Sequence, residues 1–301
     1  METELCRYLL HRLGAGAGRM QPREVREYLK EVRPVRGWFW PAAAYLFGMI
    51  DELQKSLGIT GNLFEIGAFH GKSTLLLGRM TRPECGEQLG VCDAFDAPDA
   101  ASALAGRGFY REFAAHIEAA FPRRDFLRVF IKSSSDLTPE ETTTNCRFFH
   151  VDGDHDAAQV TRDLAVAAGA IGEAGVIAVD DIYNFAWPGV AEGFFSFMNT
   201  HAGQFVPLAM GFNKLLLVRP AARKLYEDAF EDPDACWQFI PRGPVSIKKQ
   251  ALCGMPTYLF HVPSYKSPDP LRQTLTLLHQ HSPRWSDRLS RLIRYHDRVG
   301  A

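Results

Sequence analysis

Four side chains in two short runs could do chemistry together. Asp152 and His155 stand in Asp152-Gly153-Asp154-His155, straight after the apolar run 147–151, and Asp180-Asp181 follow a second apolar run, 176–179. Runs this short and apolar read as buried strands of a parallel sheet, whose ligands bind at the edge where the strands end. Asp152, Asp180 and Asp181 would then share one edge, where like charges repel unless something positive sits among them or one takes a proton. A bound divalent cation is the simplest answer, and an all-oxygen carboxylate set points to Mg²⁺, with Mn²⁺ and Ca²⁺ as the other candidates. His155 adds a group able to accept a proton near neutral pH. The plainer reading of His155 is an ordinary residue at a helix N-terminus. Asp154 is assigned an outward or capping role, and Tyr183, Asn184 and Trp187, just past the acid pair, are candidate pocket walls.

A second stretch, 62–74, reads NLFEIGAFHGKST. Leu63, Phe64 and Ile66 suit a buried strand, Gly67 breaks it, and Lys72, Ser73 and Thr74 open a helix after Gly71. Strand, glycine turn and helix N-terminus outline a nucleotide pocket. A phosphate-cradling loop needs four residues between its first glycine and Gly-Lys-Ser/Thr, yet only Ala68, Phe69 and His70 separate Gly67 from Gly71. A dinucleotide fingerprint needs glycine where Phe69 stands. What remains is an acid, one residue, a glycine, three residues and a glycine: Glu65, Gly67, Gly71. An ordinary strand-to-helix turn satisfies the same pattern.

The elements that must hold these residues follow from apolar spacing. Residues 1–61 read as a helical N-terminal segment, amphipathic over 23–33 and with Leu46, Ile50, Leu53 and Leu57 at helical spacing. Between those helices lies the aromatic loop Gly37-Trp38-Phe39-Trp40-Pro41, either a hydrophobic plug or a lid over the pocket. A second strand, 88–92, ends on Asp93, where the ribose hydroxyls of a nucleotide would lie, with Asp96 as second candidate. Phe109, Phe113 and Ile117 mark a helix, and a third strand, 129–131, ends in Lys132-Ser133-Ser134-Ser135-Asp136. After the fourth strand, Val160, Leu164 and Ile171 mark the inner face of a helix. A helix over 190–198 then leads to runs 205–210 and 214–219, joined by Gly211-Phe212-Asn213 as an antiparallel hairpin. Beyond Pro220 we expect a helix over 221–232, an irregular or β-containing stretch over 236–266, and basic amphipathic helices over 269–298. The expected division is 1–61, 62–219 and 220–301.

Composition narrows the function. The chain of 301 residues has 34 Lys and Arg against 35 Asp and Glu, so no charge excess argues for nucleic acid or an acidic membrane. No run is long enough for a membrane span and no signal peptide is evident. Six scattered cysteines without a CxxC pair read as reduced thiols of a cytoplasmic protein.

On Glu65, Gly67 and Gly71 the chain resembles the class I S-adenosylmethionine-dependent methyltransferases. In that family the glycine turn, here with Ser73 at the helix start, approaches the methionine part of the cofactor, the acid faces its amino group, and small hydroxylated residues such as Ser134 flank the adenine. The resemblance implies an α/β, Rossmann-like sheet of five parallel strands finished by an antiparallel hairpin, with helices on both faces and a mixed C-terminal extension. Asp152-x-x-His155 with Asp180-Asp181 is similar to the cation-dependent macrocin and mycinamicin type of sugar O-methyltransferase, a natural product biosynthesis group. That similarity implies a metal on Asp152, Asp180 and Asp181, with Asp152 also beside the cofactor, and His155 as general base. It implies a small hydroxylated substrate with vicinal oxygens, and a homo-oligomer is expected. A metal-independent methyltransferase and a non-catalytic cofactor-binding scaffold are the alternatives.

Overall fold

Nine strands of one mixed sheet run through residues 20–95, 103–231 and 246–261, the parts of the chain that the computed structural model describes. They are β1 (Asn62–Ile66), β2 (Leu89–Asp93), β3 (Leu127–Ile131), β4 (Cys146–Val151), β5 (Ile171–Asp180), β6 (Val206–Gly211), β7 (Lys214–Val218), β8 (Ser246–Leu252) and β9 (Met255–His261). Their order across the sheet is β3-β2-β1-β4-β5-β7-β6-β9-β8. β1 to β5 are parallel neighbours in that order, and β7 runs antiparallel to both β5 and β6. This is the expected Rossmann-like sheet, five parallel strands followed by an antiparallel hairpin.

The helices are α1 (Pro22–Glu31), α2 (Pro41–Ser56), α3 (Lys72–Met80), α4 (Ala103–Ala120), α5 (Ala157–Ala170), α6 (Pro188–Thr200) and α7 (Arg223–Glu231). Proline opens α1, α2 and α6, where its missing N–H costs nothing and its φ suits the first turn. Asp156 caps α5 by accepting from the N–H groups of Ala158 and Gln159.

Alternation along the strands divides the core in two. Phe148, Val176, Ala178, Leu216 and Val218 pack with Leu46, Leu76 and Tyr226 of α2, α3 and α7. Phe149, Ile177, Val179, Leu215 and Leu217 pack on the opposite face with Val160, Leu164, Phe194 and Phe197 of α5 and α6. Each such side chain contributes about 1.5–3 kcal/mol on burial, so the central strands and their C-terminal ends are held from both sides.

Three expectations change. Ile171 does not lie on a helix: it has extended backbone after Ala170 and begins a ten-residue β5. It keeps its place in the apolar core, which is why spacing alone did not separate the two. The sheet also continues past Val218, because β9 pairs parallel with β6 and β8 pairs with β9. Cys85 is disulfide-bonded, a pairing that scattered spacing could not reveal; Cys92, Cys146 and Cys253 are free thiols. Asp96, residues 1–19, the remainder of the 236–266 stretch and the helices expected over 269–298 lie outside the described residues. Among the described residues no helix is long and apolar enough to cross a membrane.

Candidate active site

The glycine loop leaves β1 at Gly67 and enters α3 at Gly71, both with φ of 87°, a backbone region that suits glycine. Its turn is tied down by backbone bonds, Gly67 N–H to Cys92 O at 2.9 Å and Gly71 N–H to Ala68 O at 2.8 Å. Asp93, at the end of β2, braces the loop from below. Its Oδ2 accepts from the N–H groups of Ala68 and Phe69, each at 2.7 Å, and its Oδ1 from Phe95 N–H at 2.5 Å. Burial pushes the Asp93 carboxyl up, and the same three N–H groups work against that shift. The residue expected to meet ribose therefore also holds the shape of the loop.

Glu65 points into the protein. It is fully buried, accepts a hydrogen bond from the Thr74 hydroxyl and pairs with His150 Nδ1 at 2.9 Å. Ser73 is buried on α3. Ser134, in the turn after β3, accepts from Gln159 Nε2 at 2.8 Å, and the same amide reaches Asp163 Oδ1 at 2.8 Å.

At the ends of β4 and β5, Val151, Asp152, Gly153, Asp154, His155, Val179, Asp180 and Asp181 line one small cleft. The antiparallel register sets Lys214, the first residue of β7, directly opposite Asp180. Lys214 Nζ contacts Asp180 Oδ2, and both groups are buried. Asp180 Oδ1 accepts from Asn213 Nδ2 at 2.9 Å and from Asp181 N–H at 2.8 Å. Asp152 Oδ2 lies 3.9 Å from Lys214 Nζ and 3.9 Å from His150 Nε2, beyond hydrogen-bond reach of either. Burial and the Asp180 charge push the Asp152 carboxyl well above the carboxylate range, against Lys214. Burial works against the Lys214 ammonium, but Asp180 and Asp152 hold it above its ordinary value.

Asp181 takes the left-handed backbone region, φ 57°, which Asp tolerates better than most residues. That bend turns its side chain toward His155: Nε2 lies 3.1 Å from Asp181 Oδ2. Asn184 and Asn213 both donate to Asp181 Oδ1. Burial would raise the Asp181 carboxyl, yet hydrogen bonds from His155, Asn184 and Asn213 outweigh it and hold it down to about 2. The Trp187 ring stacks on the imidazole, centroids 4.3 Å apart and planes 12° apart. Asp154 accepts from the N–H groups of His155 and Asp156, a local turn in keeping with its assigned role.

Residues 64–182 match a protein-family profile described as a methyltransferase domain. The match takes in less than half of the chain. No curated protein matches the chain in sequence. Solved structures similar to it include the O-methyltransferase NovP, at 14% identity over 58% of this chain and 79% of that one, TM-score 0.47. Also similar are the O-methyltransferase TomG from Streptomyces achromogenes, at 16% identity over 64% and 87%, TM-score 0.44, and an O-methyltransferase from Bacillus cereus, at 16% identity over 64% and 88%, TM-score 0.44.

Within the matched residues and their flanks, sequence reading missed several residues at the site. Lys214 looked like the polar start of an apolar strand; its signal was the hairpin register, which pairs the first residue of β7 with the last of β5. His150 lies between Phe149 and Val151 inside the run taken as a strand, so nothing marked it as a site residue. Asn213 sits in the hairpin turn. The aromatic loop divides its work: Phe39 packs on Phe47 and His150 and lies 5.1 Å from Lys214 Nζ, whereas Trp38 is 84% exposed and stacks on Phe69 of the glycine loop.

Proposed function

We propose that this chain is an S-adenosylmethionine-dependent O-methyltransferase that acts on a hydroxyl of a small molecule, with His155 as general base. The observation that supports it best is the Asp181–His155–Trp187 arrangement at the sheet edge of a methyltransferase domain. With Nε2–H directed at Asp181, the imidazole leaves Nδ1 to take a proton, and the anionic Asp181 stabilises the imidazolium that forms. Trp187 fixes the ring plane, so the base is oriented before substrate arrives. Positioning of this kind is worth up to about 7–11 kcal/mol of barrier in well-oriented systems.

The cofactor would supply an electrophilic methyl group, and the chain's part is to hold it. Gly67, Gly71 and Ser73 would meet its methionine portion, Asp93 its ribose, and Ser134 its adenine, with Asp152 at the boundary between cofactor and substrate. Glu65 contributes through Thr74 and His150, which fix the start of α3 and the floor of the site.

The expected metal set of Asp152, Asp180 and Asp181 fits in part. Oxygen atoms of Asp152 and Asp181 and a ring nitrogen of His155 come within 4.8 Å of one another, a hard-ion donor set with one imidazole at its rim. Asp180 is engaged by Lys214, Asn213 and the Asp181 N–H. A Mg²⁺ ion would be held by Asp152 and by Asp181, the latter giving up part of its bonding from His155, Asn184 and Asn213, and would lower the pKa of a neighbouring substrate hydroxyl. The likeness of the motif to sugar O-methyltransferases favours a substrate with vicinal oxygens, as found in sugars and natural products.

Calorimetric titration of S-adenosylhomocysteine tests the reading. Saturable binding to the wild type, with methyl transfer lost in His155→Ala and cofactor binding retained, supports it; no binding under any condition overturns it.

A further inference from the structure

A positive charge is already in place at the acidic edge. Lys214 is 1% exposed at its side chain, contacts Asp180 Oδ2 and lies 3.9 Å from Asp152 Oδ2. Its position is fixed from three directions. The β5–β7 ladder sets its backbone opposite Asp180, the carboxylates draw its ammonium toward the strand ends, and the Phe39 ring covers it at 5.1 Å. A cation over an aromatic face is held electrostatically as well as sterically. The neighbouring His150 imidazole, which pairs with Glu65 through Nδ1, approaches Asp152 from the same inner side.

This geometry separates two cation positions that look equivalent in the sequence. The inner one lies among His150, Asp152 and Asp180, and the outer one among Asp152, His155 and Asp181. An ammonium already sits in the inner one, where low dielectric makes the repulsion of a second cation strong. We propose that Lys214 is a built-in cation that fills the inner position between Asp180 and Asp152, so that a divalent ion is confined to the outer position and bound weakly there. The lysine thereby balances the charge of the cluster, and the cluster folds and keeps its shape without a divalent ion. It is a positioning residue: it contacts Asp180 and lies 3.9 Å from Asp152, rather than meeting a reacting atom.

The proposal takes its outer metal position from the function proposed above, so its test reads metal affinity and stability in the full chain without cofactor. MnCl₂ is titrated calorimetrically into metal-stripped wild type, Lys214→Met and Lys214→Arg, and each is melted with and without Mn²⁺. The wild type and Lys214→Arg are expected to bind weakly and melt at nearly the same temperature with or without Mn²⁺. Lys214→Met is expected to bind Mn²⁺ at least ~10-fold more tightly, a difference of about 1.4 kcal/mol, and to melt higher in its presence. Equal or weaker Mn²⁺ affinity in Lys214→Met, or tighter binding in Lys214→Arg as well, overturns the proposal. If Lys214→Met does not fold, Lys214→Gln, which keeps a donor toward Asp180 without the charge, is read in its place by the same criteria. S-adenosylhomocysteine titrated in parallel keeps the two readings apart. Its failure to bind the wild type would overturn the methyltransferase reading and leave the Mn²⁺ comparison standing.

Discussion

Gly67 and Asp152 meet backbone to backbone: a Cβ built on Gly67 would lie 1.8 Å from the Asp152 carbonyl oxygen. The two motifs read separately in the sequence, the glycine loop after β1 and the acid after β4, are therefore one piece of structure. Asp152 N–H donates to Ile66 O at 2.9 Å, which keeps them in register. Gly67→Ala is expected to destabilise the chain well beyond the conformational cost of a left-handed alanine, about 1–2 kcal/mol, because overpacking adds about 1–3 kcal/mol. Gly86 is the control, with φ 77° and nothing within 4 Å of the place a Cβ would take. Urea denaturation of Gly67→Ala and Gly86→Ala checks this; equal losses would show that the close approach to Asp152 does not matter.

For His155 and Asp181 the expectation is kinetic. His155→Ala should lower kcat by about 10²–10⁴-fold, the usual contribution of a positioned base, with little change in S-adenosylhomocysteine affinity. Asp181→Asn should also lower kcat, since an amide can present the wrong group to Nε2 and leave the other tautomer favoured. The Asp181 carboxyl, held down to about 2, stays ionised throughout any practical assay range, so its titration contributes no limb to the pH–rate profile near neutrality. Its stabilisation is fully present above its ordinary value of 3.8 and is lost as the pH falls toward 2. Methyl transfer at the wild-type rate in His155→Ala would remove His155 from the base role.

How far the sequence reached differs between fold and site. The strands were legible because Leu63, Phe148, Phe149, Ile177 and Leu216 lie in short apolar runs separated by turn signals, and five parallel strands finished by a hairpin was what the resemblance on the glycine loop implied; the strand order was not read. The clustering of Asp152, Asp180 and Asp181 was legible because strand ends share an edge. What could not be read was the charge that balances them. On what sits among the acids, the sequence reading answered with a bound ion or a proton and did not weigh a side chain from elsewhere, because Lys214 is 62 residues from Asp152 by the numbering and is brought near only by antiparallel pairing. The inward turn of Glu65 was hidden for a related reason: its partners Thr74 and His150 come from different elements, and a motif records only the acid.

Asp163 gives a pH-dependent prediction. Fully buried on α5, its carboxyl is pushed up to about 6 by burial, against hydrogen bonds from Ser134 and Gln159. The ordinary value is 3.8, so between about pH 4 and 6 the folded chain holds more protons than the unfolded one. Stability falls as pH rises through that window, and above it the full cost, on the order of 3 kcal/mol, is present. Asp163→Asn should therefore melt higher than wild type at pH 8 and show little difference at pH 4. The same difference at both values would mean that ionisation of Asp163 is not the cause.

Arg147, at the start of β4, tests the opposite end of the sheet from the site. Its guanidinium is fully buried and contacts Asp51 at 2.9 Å, Gln54 Oε1 at 2.9 Å, Glu87 Oε1 at 3.1 Å and Met80 O at 2.6 Å. Asp51 has a second partner in Lys55 and Glu87 a second in Arg82, so the network ties α2 and the turn before β2 to β4. Arg147→Met leaves two buried carboxylates with one cation fewer each, and breaking a buried pair on one side costs about 3–5 kcal/mol. Pairing it with Glu87→Gln removes one of the stranded charges and should recover part of that loss, which a double-mutant cycle in urea would measure. Because these residues sit at the N-terminal end of β4 and the cleft at its C-terminal end, the folded fraction of Arg147→Met should bind S-adenosylhomocysteine as the wild type does. A loss of affinity larger than the loss of folded protein would mean instead that strain at the start of β4 is transmitted along the strand to Asp152.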